Sequence, residues 1–136
     1  MERTIDANIN RACEGLRVIE DILRFELEKK EFSQKLKHIR HYLRENFSSK
    51  LKFLHKRNSI SDLGKEFSKI ETKRESILDL LKANFYRIEE ALRVLEEVTK
   101  LYDDLKDFTP TIKSFRFEIY TIEKETLINF NSDSNI

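Results

Sequence analysis

Two glycines, one proline and no tryptophan in 136 residues leave this sequence few turn signals. Long helices with few connections are expected from that scarcity. Cys13 is the single cysteine, so an internal disulfide is excluded. Its equivalent in a repeated stretch described below is Glu89, which predicts an outward position for both. Neither sign of charge prevails: 26 Lys and Arg stand against 25 Asp and Glu, for a net charge of +1. That balance removes the overall basic field of a nucleic-acid or membrane-surface binder. No stretch approaches the roughly 20 apolar residues of a membrane span. The opening MERTIDANIN lacks the apolar core of a secretory leader. A cytoplasmic protein with no membrane and no nucleic-acid partner is the expectation. There is also no GxxxxGK[ST] or GxGxxG element, which excludes a glycine-rich loop cradling phosphates. His38, His41 and His55 have no metal-ligand spacing with cysteine, and no Ser-His-Asp triad can be named.

What is present is helical period. From Thr4 to about Glu28, Ile5, Ile9, Ala12, Leu16, Ile19, Leu23 and Leu27 recur at spacings of three and four. A second helix is predicted from about Glu31 to Asn46, with a short helical extension at 51–56 and a loop at 57–71. A third is predicted from about Arg74 to Asp103. Thr109-Pro110 has the form of an N-cap followed by proline at the first helical position, opening a last helix to about Ile128.

The chain also repeats itself. ANINRACEGLRVIED (7–21) and ANFYRIEEALRVLEE (83–97) share eight residue identities at equal offsets, and Ala83 minus Ala7 gives an interval of 76. The same interval carries Leu36, Lys37, Ile39, Arg40 and Leu43 onto Ile112, Lys113, Phe115, Arg116 and Ile119. The repeat unit is therefore a helical hairpin. Two hairpins packed face to face predict an all-α, antiparallel bundle of four long helices plus short helical segments, with pseudo-two-fold symmetry. One helical domain is expected over 1–130: repeat 1 at about 3–48, a linker at about 57–72, repeat 2 at about 74–128, and a disordered tail at 131–136.

On a helical wheel, Asn8 and Gly15 fall within or beside the apolar arc of the first helix, and Asn84 and Ala91 within that of the third. A buried amide without partners costs about 1–3 kcal/mol, and a mid-helix glycine about 1 kcal/mol relative to alanine. An approaching backbone or ligand explains both. So does a register-fixing Asn pair with small residues for close packing, and on these features alone that account is slightly the better. Asn8, Arg11, Glu14, Arg17 and Glu20 form an unbroken i, i+3 row, repeated by Asn84, Arg87, Glu90, Arg93 and Glu96. Each row is expected to start in the seam and wind out to solvent. A salt-bridge ladder accounts for its outer members. Arg11 and Arg87, at the seam's edge, need another partner. With Arg40 and Arg116 beside their own apolar faces, four arginines are expected to converge, an arrangement suited to a polyanion such as phosphate.

DANINRACEGLRVIEDILRF, LKHIRHYL, DLG (62–64) and ANFYRIEEALRVLEEVTKL together resemble a small helical family. It comprises the hydroxymethylpyrimidine phosphate kinases of thiamin biosynthesis that occur alone or fused ahead of thiamin-phosphate synthase. The resemblance covers roughly Arg3 to Glu123 and is to the stand-alone form. It implies phosphoryl transfer from ATP, with Mg²⁺, to hydroxymethylpyrimidine phosphate, giving the diphosphate, with the unphosphorylated alcohol rejected. It also implies functional association with thiamin-phosphate synthase. The sequence leaves a single chain and a homodimer equally open. Arg11, Arg87, Arg40 and Arg116 are the expected phosphate-binding residues, with Arg17 and Arg93 next. Glu14 and Glu90 are the expected Mg²⁺ carboxylates, and Asp62 the best loop carboxylate. Asn8 and Asn84 are expected to orient the pyrimidine or a phosphate oxygen. A Mg²⁺-dependent all-helical nucleotide pyrophosphohydrolase and a non-enzymatic docking module of a thiamin-pathway enzyme are the alternatives. The residues alone leave the docking module level with an enzyme, and the resemblance decides for the kinase.

Overall fold

The structure, a computed structural model, describes residues 1–47, 60 and 74–132, with side chains to residue 130. It is an all-α bundle of four long helices: α1 (Glu2–Asp21), α2 (Lys30–Phe47), α3 (Ile77–Thr99) and α4 (Thr109–Ser132). A single wide π-turn, Ile22–Glu26, closes α1, and a 3₁₀ turn, Lys106–Phe108, precedes α4. Among the described residues there is no strand, and no helix is long and apolar enough to cross a membrane. The expected extension at 51–56 and loop at 57–71, Ile60 apart, lie outside the described residues, as do His55 and Asp62.

Each hairpin is antiparallel. In the first, the Ser33 hydroxyl donates to the Glu20 carbonyl, the Cys13 thiol to the Arg40 carbonyl, and Arg44 to the Asn10 side chain. In the second, Thr99 meets Thr109 and Glu96 meets Arg116. α1 and α3 then pack on each other. An added Cβ at Gly15 would stand 2.8 Å from Ile88 Cγ1 and 3.3 Å from the Asn84 carbonyl oxygen, so it is a second helix that the glycine admits. Opposite, α2 and α4 are held apart by large rings. Tyr42 meets Phe115 and Phe47 meets Phe108, each with ring centroids 5.0 Å apart. One seam is thus narrow and lined by Ala12, Gly15 and Ala91, while the opposite one is wide and aromatic. The core between them is apolar, with Leu16, Ile19, Leu43, Phe85, Leu92 and Ile119 fully buried.

Several boundaries differ from expectation for local reasons. α1 ends at Asp21 rather than near Glu28, and the π-turn carries the chain out. Lys29 N–H reaches back to the Leu23 carbonyl at 2.7 Å while Glu28 takes a left-handed φ of 55°. α3 starts at Ile77 because the Ser76 hydroxyl accepts from Asp79 N–H at 3.1 Å. It ends at Thr99, not Asp103. Asp103 and Asp104 would have placed two negative charges at the negative end of the helix dipole. Thr109 is not a side-chain cap. It is already helical (φ −53°, ψ −49°), and its hydroxyl lies 2.7 Å from that of Thr99. Pro110 still falls in the first turn, where a missing N–H costs nothing. α4 continues past Ile128 to Ser132.

Candidate functional site

The two i, i+3 rows do not simply wind out to solvent. A three-residue step rotates by about 60° the short way, so four steps sweep about 240° and bring the last member against the neighbouring helix. Glu20 and Glu96 are accordingly buried, at 5% and 3% exposure. Each takes the arginine of its own hairpin partner in a forked pair. Arg40 donates to Glu20 at 2.6 and 3.1 Å, and Arg116 to Glu96 at 2.8 and 3.5 Å. Burial alone would raise the Glu96 carboxyl, but the Arg116 hydrogen bonds and charge, helped by Arg93 and Lys100, hold it below the usual range. Arg17 pairs with Asp21 and Arg93 with Glu96 and Glu97 along their own helices.

Arg11 and Arg87 are different. Neither makes an ion pair or hydrogen bond among the described residues. Both line one open cavity of about 460 Å³ at the α1–α3 seam. Asn8 comes to that cavity from α1 beside Arg11. The rest of its wall is a single stripe of α3, Ala83, Tyr86, Arg87, Glu90, Ala91 and Val94, with Arg74 beyond the end of the helix. The antiparallel crossing puts position 11 of one helix opposite the equivalent position of the other. This is why one residue written twice arrives twice at one place. Asn8 is buried and its amide donates to the Thr4 carbonyl at 2.8 Å; half-buried Asn84 donates to Leu80 at 2.9 Å. Both bonds stay within their own helix, so the asparagines do not form a register-fixing pair across the bundle. Of the four arginines expected to converge, then, two share the cavity, and Arg40 and Arg116 are committed to carboxylates elsewhere. Glu90 is on the wall. Glu14 is exposed and does not line it, and Asn84 does not line it either.

A second cavity, of about 360 Å³, adjoins the first through shared Tyr86 and Glu90, and adds Glu89, Arg93 and Tyr120. Here the outward position expected for residues 13 and 89 is corrected. Cys13 is 1% exposed and Glu89 7%. The central helices α1 and α3 are each gripped by two neighbours, so their buried arc is wider than one apolar stripe suggests. Burial pushes the Cys13 thiol up. Burial, then a hydrogen bond and charge from Glu123 and charge from Glu90, push the Glu89 carboxyl up to about 8. His38 and His41 are solvent-exposed, as expected from the sequence.

Sequence reasoning read Glu20 and Glu96 only as outer rungs of their rows and Glu89 only as the equivalent of Cys13, and it passed over Glu123. For the first two a signal existed, since arginines on the apolar faces of α2 and α4 require carboxylates at matching depth. Glu89 and Glu123 lie 76 residues after Cys13 and Phe47, a pair of polar-for-apolar exchanges that marks where the second hairpin departs from the first.

The comparisons agree with the repeated motif. Residues 3–125 match the ThiD2 family, and the chain belongs to that family. It is 39% identical over 126 residues to a protein of Nostoc punctiforme named thiamine-phosphate synthase, covering 92% of this chain and 35% of that one. A protein of the same name from Synechocystis sp. is 38% identical over 126 residues, with 92% and 36% covered. One from Prochlorococcus marinus is 42% identical over 123 residues, with 88% and 34% covered. By name these relatives are enzymes of thiamin biosynthesis, and the chain spans about a third of their length. No solved structure matches it.

Proposed function

We propose that this chain acts in thiamin biosynthesis as a kinase, transferring the γ-phosphoryl group of ATP to hydroxymethylpyrimidine phosphate. The observation that carries the reading is the pair Arg11 and Arg87, two guanidiniums on one cavity with no ion pair or hydrogen bond among the described residues. Like charges brought together at a seam, while other arginines of the same bundle are carefully paired, are what a phosphorylated ligand would stabilise. The relatives' names supply the pathway, and the family resemblance supplies the acceptor.

The chemistry asks little of acids or bases. A phosphate monoester is largely dianionic at neutral pH, so one of its oxygens can attack the γ-phosphorus without a proton being removed. The bond from that phosphorus to its bridging oxygen breaks, and ADP leaves with the electron pair. The requirement is neutralisation and in-line positioning of two anions. Arg11 and Arg87 would each hold one phosphate group, and Asn8 would orient the pyrimidine or a phosphate oxygen. An arginine clamp on the acceptor phosphate disfavours the free alcohol, which would leave that guanidinium unpaired. Mg²⁺ would neutralise the phosphates, and Glu90 is the carboxylate on the wall able to face it, with Glu14 farther out. Arg93, at the adjoining cavity, is the next cation available.

The test is to incubate the protein with Mg-ATP and the pyrimidine monophosphate, following ADP and the diphosphate together, with the alcohol as control. Equal yields of both products from the monophosphate alone support the kinase. ATP loss without diphosphate favours a pyrophosphohydrolase. No turnover by folded protein overturns the enzyme and leaves a docking module, which its relatives' greater length would suit.

A further inference from the structure

Two departures between the hairpins fall on facing positions. At the interval of 76, Asn10 and Arg44 of the first hairpin become Tyr86 and Tyr120 of the second. Asn10 and Arg44 close on each other, the guanidinium donating to the amide oxygen at 2.7 Å. The tyrosines instead line the second cavity, of about 360 Å³, and stay 52% and 40% exposed. A polar pair that satisfies itself has given way to two aromatic rings beside an open space.

Tyr120 is held from behind. Arg116, fixed by buried Glu96, lies 5.8 Å from the centre of the Tyr120 ring and reaches its hydroxyl at 3.5 Å. Phe117 meets the same ring edge-on, with centroids 6.2 Å apart. One wall of the cavity is thus set before a ligand arrives, which lowers the cost of binding. The rest of the lining narrows the choice of ligand. Arg93 is already paired with Glu96 and Glu97, so it is poorly placed to take a phosphate. Glu89 is buried, with its Oε2 sealed from solvent. The surface left to a ligand is chiefly aromatic, and what such a surface takes is a flat ring stacked on tyrosine.

Tyr86 and Glu90 belong to both cavities, so a ring here lies next to the arginine cavity. Arg87 follows Tyr86 in the chain and lines that cavity from the same helix. The acceptor has one methylene and one oxygen between its ring and phosphorus, whereas a ribose separates adenine from the phosphates of ATP. Adjoining cavities suit the shorter link.

We infer that the ring of the pyrimidine monophosphate stacks on Tyr86 and Tyr120 in the second cavity, with its phosphate at Arg87. The inference deepens the kinase reading and rests on it for the ligand's identity. It leaves Arg11 and Asn8 to the phosphates of ATP. It also gives the acceptor to the second hairpin, and so breaks the equivalence of the two halves.

The experiment is calorimetric titration of the intact chain with the pyrimidine monophosphate alone and with Mg-ATP alone. Wild type, Tyr86→Ala, Tyr86→Phe and Tyr120→Leu are compared, with thermal melts to check folding. Loss of a stacking partner should weaken the monophosphate at least tenfold in Tyr86→Ala and in Tyr120→Leu. Tyr86→Phe should restore it, and the affinity for ATP should not change. Should Tyr120→Leu disturb Arg116 and unfold, the two Tyr86 variants decide alone. A fall confined to ATP, or equal for both ligands, would overturn the assignment to the acceptor. No fall for either would overturn the stacking itself, as would failure of Tyr86→Phe to restore binding. No binding of the monophosphate by folded wild type would overturn it as well. The kinase assay is separate: tyrosine-dependent binding without phosphoryl transfer removes the function and keeps the site. Transfer with an unchanged KM for the monophosphate in Tyr86→Ala does the reverse.

Discussion

The two hairpins agree where they hold the bundle together and differ where a charge is buried. Each closes on a forked arginine–glutamate pair, Arg40 with Glu20 and Arg116 with Glu96, and each sends one arginine to the shared cavity. Only the second, however, sets a buried glutamate, Glu89, against half-buried Glu123; the first has Cys13 and Phe47 at the equivalent positions. A duplicated fold needs the common features. The departures are therefore the better guide to which half does what.

The largest test of that comparison is at the cavity. Arg11→Ala and Arg87→Ala should each lower kcat/KM for diphosphate formation by about 10²–10³-fold, the range for removing one donor that stabilises transferring charge. The two variants should raise KM for different substrates, one for ATP and one for the monophosphate. Identical kinetic profiles would sink the idea of one anion per half. Next come the arginine–glutamate pairs, where the halves should behave alike. Arg40→Ala and Arg116→Ala each strand a glutamate that is nearly inaccessible. A loss of about 2–3 kcal/mol, or roughly 8–12 °C in melting temperature, is expected from each. A large difference between them in a denaturation curve would show that the shared geometry hides unequal loads.

Smaller effects probe where the halves are unequal by design. Gly15 corresponds to Ala91, and the helix-propensity gain of Gly15→Ala, about 1 kcal/mol, opposes a clash with Ile88 and the Asn84 carbonyl. Overpacking a filled seam costs about 1–3 kcal/mol, so a modest net loss of stability is expected by urea titration. A rise in the denaturation midpoint would mean the seam can open without penalty. A last effect is electrostatic. The Glu89 carboxyl is raised in the folded chain to about 8, from an ordinary 4.5. Between those values the native state binds more protons than the unfolded one. The stability this contributes is complete below about pH 4.5 and is lost as pH rises through 8. Wild type should lose several degrees of melting temperature between about pH 6 and pH 8.5 relative to Glu89→Gln. The neighbours facing Glu89 are Glu123, Glu90 and Arg93 with the rings of Tyr86 and Tyr120. Parallel pH curves for the two proteins would assign the dependence to other groups.

Much of this was legible in the residues. The interval of 76 and the three-and-four spacing of Ile5, Leu16, Leu23, Leu81, Ile88 and Leu95 are enough to write down a duplicated four-helix bundle. Gly15 announced a close approach, and the two equivalent rows that contain Arg11 and Arg87 singled out the arginines that meet. What was not legible depends on having neighbours on two sides. Glu20 and Glu96 look like solvent-facing rungs until α2 and α4 are set against them. Cys13 and Glu89 look outward on a wheel drawn for one apolar stripe, but α1 and α3 have two. The end of α3 at Thr99 was hidden for another reason, since the apolar period runs on and only the helix dipole and the Thr99–Thr109 contact stop it.

The narrow seam has a kinetic meaning. Gly15 and Ile88 touch although 73 positions of sequence separate them (88 minus 15), whereas the contacts within each hairpin are local. Hairpins should thus form early, and their docking should be the slow, topology-limited event. Closing a longer connection costs only about 0.6 kcal/mol per doubling of its length. The join between the hairpins can therefore tolerate insertions that the seam cannot, and a chain cut there should give two pieces able to find each other again.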